Sequence, residues 1–476
     1  MQEGPLCVLV SIVSGMTTCT VMEVEASSGS QTLPRLLGSR DPSEIVRAPT
    51  MKQLQDEEEN LQPPLMFKIF VLALPTIYSM NYTVTLPTAH DYVASLGGGG
   101  WFAGMVVAAS LACGVMTVPL SKCFFSSSYK PVLFLLITFC AVGNALYGLG
   151  QVAQNLWVLL LGRAVQGLWW GGCGATLCQH VSHSCIEKKQ RSAWTATTGN
   201  VAFLGMGMGP IFAAALSKVN FSVGLLEVDE LTSPGWFFCV LWLLLLVTLV
   251  FIPEPARPFA TNRQSDGSTG STYPNAKIIW SLSTTLVTSA VVAGWETSAA
   301  VVTQKYFAWS ISASSLFIGA IFLSSSLGGE AVKLFMSKRE VPEADVTTVS
   351  LGTLVVSSAL LYWYLPISRT PDCIGNELAY VIGSILVLNA ANVARNYSLA
   401  IAMRESASVS VRMKDMAVGA QALFMMCGRS LGALCGMGIA ALPGGANGSA
   451  ALMTSISALM LSTLLIPELF ASLRRM

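Results

Sequence analysis

Charge is what this chain has least of. Only 11% of its 476 residues are Asp, Glu, Lys or Arg, against about 25% in an average soluble domain. That shortfall argues against a water-soluble enzyme. No sign of charge dominates either: 27 Lys and Arg face 26 Asp and Glu, so nothing in the balance invites nucleic acid. The chain has no P-loop, no glycine-rich nucleotide motif after a strand and no Ser-His-Asp ordering, which removes the usual grounds for ATP hydrolysis or nucleophilic catalysis. No enzymatic activity and no cofactor are expected. The first residues carry Glu3 and no base ahead of the short apolar run 6–14, so a cleavable signal peptide is not expected. An acidic dileucine sorting signal is also missing.

What fills the chain instead is apolar residue, 53% of the total. A bilayer core of roughly 30 Å needs about 20 apolar residues in a helix. Twelve runs meet this, at about 65–87, 101–121, 131–150, 156–178, 192–217, 235–253, 278–301, 312–335, 346–365, 378–402, 414–440 and 449–470. The expected fold is therefore an all-α membrane protein of twelve transmembrane helices. Residues 1–64 hold nine acids and four bases with no sustained apolar period, and read as a disordered cytosolic tail. The Pro-, Ser- and Gly-rich segment 254–277 splits the spans six and six. The domains are then a six-helix half at 65–253, a cytosolic linker at 254–277, and a second six-helix half with a short tail at 278–476.

Basic residues set the orientation. With the N-terminus in the cytosol, fifteen Lys and Arg fall in cytosolic loops and the C-terminal tail, and three (Lys218, Lys305, Arg369) on the opposite side. That is a strong positive-inside bias. The sequons at Asn220 and Asn447 then lie on the non-cytosolic side, while those at Asn81 and Asn396 lie within spans. Most of the cysteines, such as Cys113, Cys140, Cys173, Cys239, Cys427 and Cys435, sit in apolar runs as small hydrophobes. Cys373 has no partner on its side, so no structural disulfide is expected.

Five ionisable residues stand out inside the spans: Arg163, Glu296, Glu330, Arg395 and Arg429. Each costs at least ~2.5 kcal/mol to insert and is a functional candidate by default. Three cations against two acids leave an excess of one positive charge, and guanidinium forks match carboxylate and phosphate oxygens. An anionic small molecule is the expected substrate, contacted by Arg163, Arg395 and Arg429 with Gln166 as a polar neighbour. The competing reading is that Arg and Glu pair across helices and only hold the bundle together. Glu296, in Gly294-Trp-Glu-Thr-Ser298, is the candidate to bind and release a coupling proton, because desolvation opposes its charged form. Its structural alternative is an ion pair with Arg163 or Arg429. Glu330 is read as a gate or latch contact. Gly205, Gly209 and Pro210 in the fifth span echo Gly428 and Gly432 in the eleventh; small residues four apart let helices approach closely. The segment Cys178-Gln-His180-Val-Ser-His183-Ser-Cys185 offers zinc-type ligands but no structural zinc spacing. It is read as a helix end and a solvated loop, with no metal.

These residues carry a resemblance. Gly162-Arg-Ala-Val-Gln-Gly167 resembles the Arg-x-x-Gln-Gly signature of the major facilitator superfamily, and Gly205–Pro210 resembles its fifth-span Gly-Pro motif. The stretch 86–97, Ser128-Tyr-Lys-Pro-Val-Leu-Phe134, Gly143-Asn-Ala-Leu-Tyr147, Glu296 with Tyr306–Ser310, and Leu327–Val332 are similar to vacuolar phosphate transporters of the SPX-MFS type and their lysosomal relatives. The resemblance implies a rocker-switch transporter of endomembranes with a central cavity between two halves. Three features depart from it: the 64-residue N-terminal segment has no room for the SPX sensor domain, Gln179-His180 replaces a basic cluster, and Pro119-Leu-Ser-Lys122 replaces the Gly-x-x-x-Asp loop.

The sequence therefore leads to a monomeric secondary active transporter of a small anion, phosphate or an organic anion, coupled to protons by alternating access. A passive anion channel and a non-transporting receptor or scaffold are the rivals. A vacuolar or lysosomal membrane is the address the resemblance implies, with the plasma membrane as its alternative.

Overall fold

The computed structural model describes residues 64–124, 129–169, 191–224, 226–253, 276–339, 341–364, 374–409 and 411–440. The N-terminal tail, nearly all of the linker, the twelfth span, Cys373, the Asn447 sequon and the Cys178–Cys185 segment lie outside them. The described helices, all within the unit Leu61–Met476, are α1 (Leu65–Val84), α2 (Ala89–Ser95), α3 (Gly100–Phe124), α4 (Tyr129–Ala153), α5 (Leu156–Trp169), α6 (Arg191–Leu216), α7 (Ser233–Phe251), α8 (Ala276–Lys305), α9 (Ile311–Arg339), α10 (Glu343–Tyr364), α11 (Ile374–Val409) and α12 (Val411–Ala440). Eleven of the twelve expected spans correspond to a helix, and α2 is a short extra one. Among the described residues, seven helices are long and apolar enough to cross a membrane.

Local sequence explains the limits of several. Pro64 stands just before α1 and Pro234 opens α7, where a missing N–H costs nothing. Tyr92 ties α2 down: its hydroxyl donates to Tyr147 O and accepts from Gln151 N, both at 2.9 Å. The purely α expectation needs one correction. Strands β1 (Phe221–Val223) and β2 (Leu226–Val228) form an antiparallel hairpin between α6 and α7, with Ser222 opposite Glu227. Gly224 turns it with φ +63°, a conformation that glycine adopts without a Cβ penalty. Three-residue strands are too short to leave a period in the sequence. Asn220 lies exposed beside the hairpin.

The outer surface is apolar. Along α7, Val240, Leu244, Val247, Val250 and Phe251 are all more than half exposed, and a row of this kind suits hydrocarbon and not water. Polar residues are buried instead: Thr284, Thr285, Thr288, Glu296, Thr297 and Thr303 of α8 are fully covered. Most of these hydroxyls donate back to carbonyls three or four residues earlier, as Thr288 does to Thr284 O at 2.7 Å, so burial leaves them paired.

Helices α1 to α7 pack among themselves, with α1 on α6 and α4 on both α5 and α7. In the second group α8 lies on α11 and α12, and α10 lies on α11. The groups meet where α3 packs on α12 and α6 packs on α9. The repeated glycines sit at matching seams. A methyl group on Gly205 would collide with Thr76 O of α1, and one on Gly428 or Gly432 would collide with Leu286 O or Ala290 O of α8. Gly209 likewise meets Thr83 and Met80, and Pro210 continues the helix directly after it.

Gly428→Val is therefore expected to destabilise the fold by about 1–3 kcal/mol through overpacking. Gly419→Ala, where a Cβ meets nothing within 4 Å, is expected to hold or raise stability by a few tenths. Thermal melting of the detergent-solubilised variants checks the pair. Equal melting of both would remove the seam from the account.

Candidate functional site

Charged side chains from both groups converge in the interior. From α5 come Arg163 and Gln166, three residues apart and so on one face; both are buried. Glycines hold that helix close to its neighbours: a methyl on Gly167 would collide with Ser110 O of α3, and one on Gly143 of α4 would lie 2.6 Å from Gln166 Cγ. Helix α8 brings Glu296, α12 brings Arg429, α11 brings Arg395, and α1 brings Tyr82.

Arg429 Nη2 donates to both oxygens of Glu296 at 2.7 Å. The Tyr82 hydroxyl donates to Glu296 Oε1, also at 2.7 Å. Glu296 is fully buried and Arg429 is 3% exposed. Of the two ion pairs open to Glu296 on sequence grounds, the one with Arg429 forms. Arg163 Nη1 donates to Gln166 Oε1 at 2.8 Å, and Nη2 reaches Tyr82 O at 3.5 Å. The guanidinium of Arg163 lies over the Tyr82 ring at 5.6 Å from its centre, and that of Arg429 at 5.0 Å.

Arg163 has no carboxylate partner among the described residues. A buried ion pays several kcal/mol in lost hydration, and a cation–π contact returns about 0.5–2 kcal/mol. One amide and one aromatic face do not offset that cost. Three buried donors in this cluster also find no acceptor: Arg163 Nε, Arg429 Nε and Gln166 Nε2. Buried donors left open in this way are rare in native structures.

Arg395 is half-buried. It donates to Asn392 Oδ1 at 3.2 Å and lies over the Phe203 ring of α6 at 4.7 Å. Arg429 Nη1 reaches Met206 Sδ, one turn along α6, at 3.6 Å. Glu330 is half-buried on α9 and pairs with none of Arg163, Arg395 or Arg429. Of the three guanidinium groups, that of Arg429 is the one bonded to Glu296 among the described residues.

Sequence reasoning named the charged members and missed Tyr82, Phe203 and Met206. The available signal was the polar stretch Asn81-Tyr-Thr83 inside an apolar run. Among the described residues no group of three or more His, Cys, Asp or Glu could hold a metal.

A set of helices packed as two groups around a buried, cation-rich interior is an arrangement for moving a polar solute across lipid. Residues 66–433 match the model of the Major Facilitator Superfamily, and the chain belongs to that superfamily. It is a multi-pass membrane protein whose membership points to a non-enzymatic transporter. It is 32% identical over 211 residues to an SPX domain-containing membrane protein of Arabidopsis thaliana, across 44% of this chain and 30% of that one. A relative described in the same words from Oryza sativa subsp. indica is 27% identical over 277 residues, across 56% of this chain and 38% of its own length. The matched stretch is thus about a third of these relatives.

Among solved structures, a bacterial homologue of the human lysosomal transporter Spinster, inward-facing and unoccupied, superposes with TM-score 0.62 at 15% identity, covering 84% of this chain and 94% of that one. The human organic anion transporter MFSD10 superposes with TM-score 0.56 at 17% identity, covering 84% and 100%.

Proposed function

We propose that the chain is a secondary active transporter of a small anion, coupled to protons, in which twelve spans form two six-helix halves that expose one site alternately to either side. Inorganic phosphate and small organic anions are the candidate substrates. The observation that carries this reading is the buried Arg163 with no carboxylate partner among the described residues, beside an Arg429 whose counter-charge is the Glu296 carboxylate. Arg163, Arg429 and Gln166 supply the open donors, and Arg395, over Phe203 one turn from the Met206 that Arg429 reaches, adds a third cation.

Glu296 acts in this scheme as a tethered counter-ion. Ionised, it occupies Arg429 and leaves the cluster with two positive charges in excess. Protonated, it raises the excess to three and frees the Arg429 fork for an oxyanion. Proton and anion then enter together, and loss of the proton restores the Glu296–Arg429 pair and expels the anion. The Phe203 and Met206 contacts are weaker than ion pairs, so parting α6 from the two arginines costs little. Gly205, Gly209, Gly428 and Gly432 keep each half tightly packed while the halves move, and Pro210 and Glu330 contribute to the gate.

The N-terminus is proposed to lie in the cytosol; its support is the excess of basic residues in the loops on that side. A vacuolar or lysosomal membrane is the proposed site of action; its support is the resemblance to SPX-type membrane proteins and the likeness to a homologue of a lysosomal transporter.

The test is uptake into proteoliposomes from a panel of phosphate, mono- and dicarboxylates, with and without an imposed proton gradient. Saturable, gradient-driven uptake with counterflow is expected for at least one anion. Unitary currents would make the protein a channel. Absence of flux for every anion, with the protein folded, would leave a receptor or scaffold.

A further inference from the structure

We infer that Tyr82 is a proton-gated substrate ligand: its hydroxyl reports the protonation of Glu296 to the anion site. The inference rests on the reading of Glu296 as the coupling residue and adds the physical link that reading lacks.

An ionised carboxylate only accepts, and here every partner donates. Tyr82 Oη gives its hydrogen to Oε1, and Arg429 Nη2 gives to Oε1 and Oε2. When Glu296 takes up a proton, one of its oxygens becomes a donor. A guanidinium cannot accept that hydrogen, because all its polar hydrogens point outward and it carries no usable lone pair. The phenol oxygen can. Tyr82 is thus the partner that lets Glu296 become neutral without a donor facing a donor in a buried site, a mismatch worth roughly a hydrogen bond to a charged group.

Once the phenol accepts from Glu296, its own hydrogen needs a new acceptor. The two guanidinium groups that would hold a substrate both lie over its ring. An oxyanion held by Arg163 and Arg429 is then within the region the hydroxyl can turn to. In the ionised state the same hydrogen is engaged by Glu296 and is withheld from substrate. No bond other than hydrogen bonds changes, and the proton stays on Glu296 throughout.

Other groups act on Glu296 without accepting its proton. Arg429 faces it from α12 and Arg395 from α11, and Arg163 from α5 lies across the Tyr82 ring. Tyr78 of α1 and Tyr147 of α4 lie within the field of Arg163. Glu330 of α9 pairs with none of these arginines. Tyr82 also joins the two groups of helices, since its hydrogen bond runs from α1 to α8. A change in that bond is therefore felt at the boundary that must move.

The experiment compares wild type and Tyr82→Phe in proteoliposomes, with inorganic phosphate and succinate as probes and the apparent KM measured across pH. The substitution keeps the ring, so both cation–π contacts remain. For whichever probe wild type carries, wild-type affinity is expected to rise as pH falls. In Tyr82→Phe the KM at acid pH is expected to be about tenfold higher, the loss of one hydrogen bond to an anion, while the alkaline KM stays within about twofold and the pH profile flattens.

An equal change at every pH would mark a packing role and overturn the inference, as would an unchanged profile. If wild type itself shows no pH-dependent affinity, the coupling role of Glu296 has failed first, and the two failures are told apart in one data set. Should Tyr82→Phe not fold, 3,5-difluorotyrosine at the same position keeps the geometry and weakens the phenol as an acceptor. Its acid limb is then expected to shift to lower pH, and an unshifted limb overturns the inference.

Discussion

Glu296→Gln is expected to abolish proton-driven anion uptake and to spare anion exchange. The amide keeps the shape of the carboxyl, so Tyr82 and Arg429 retain a partner of the same size at 2.7 Å positions. The charge is gone, and the cluster is held permanently in the state that protonation creates. Arg429 then offers its fork to substrate at every pH, and the force of the gradient has nothing to act on. Removing one partner of a buried ion pair costs about 3–5 kcal/mol when nothing replaces it. In this variant an anion can replace it. Thermal stability should therefore depend strongly on added anion, by about 2.7 kcal/mol at a hundred times its dissociation constant, and should do so equally at acid and neutral pH. Wild type should show the same stabilisation mainly at acid pH, since a proton on Glu296 is what frees Arg429. Loss of exchange as well as uptake, in a folded variant whose melting ignores anions, would make the pair structural.

Arg163→Ala separates function from folding in the opposite direction. Arg163 is 1% exposed and has no carboxylate among the described residues. Its removal strands no buried acid but costs Gln166 Oε1 its donor, so stability should change little, relief of an uncompensated buried charge offsetting the lost hydrogen bond. Transport should fall by about ten- to a hundredfold, the worth of a charge-assisted contact. Arg163→Lys should restore little, because an ammonium cannot address Gln166 and substrate as a fork does. Flux assays and melting curves on the same preparations decide the matter. Normal flux with a lowered melting point would turn Arg163 into a packing residue.

How far the sequence could be read depended on what kind of signal each feature leaves. Charges inside apolar runs are conspicuous, so Arg163, Glu296, Arg395 and Arg429 were legible before any coordinates. Their partners were not. Tyr82, Phe203 and Met206 are ordinary core residues in composition, and only the packing of α1 and α6 brings them to the arginines. The recurrence of glycines in the fifth and eleventh spans was visible; that Thr76 and Leu286 lie opposite them was not. Span limits were close where lipid sets them and wrong where it does not. The tenth span reads as 378–402, yet α11 runs Ile374–Val409, because hydropathy marks hydrocarbon thickness while the backbone ladder continues into polar surroundings. The hairpin at Phe221–Val228 left no trace.

Helices α6 and α12 have one more property. Each is clamped to its own group by glycine, yet each sends apolar side chains into the opposite core. Phe203 and Met206 of α6 belong with the core of α8 to α11, while Met426, Ala433 and Met437 of α12 belong with the core of α1 to α7. Among the described residues the groups are thus interlocked like meshed teeth, with no flat plane along which one glides over the other. Any relative turn must be taken up by rotamer changes at these teeth. Three of the five are methionine, the apolar side chain with the most torsions to spend, which would suit them to the movement the proposed transport cycle requires.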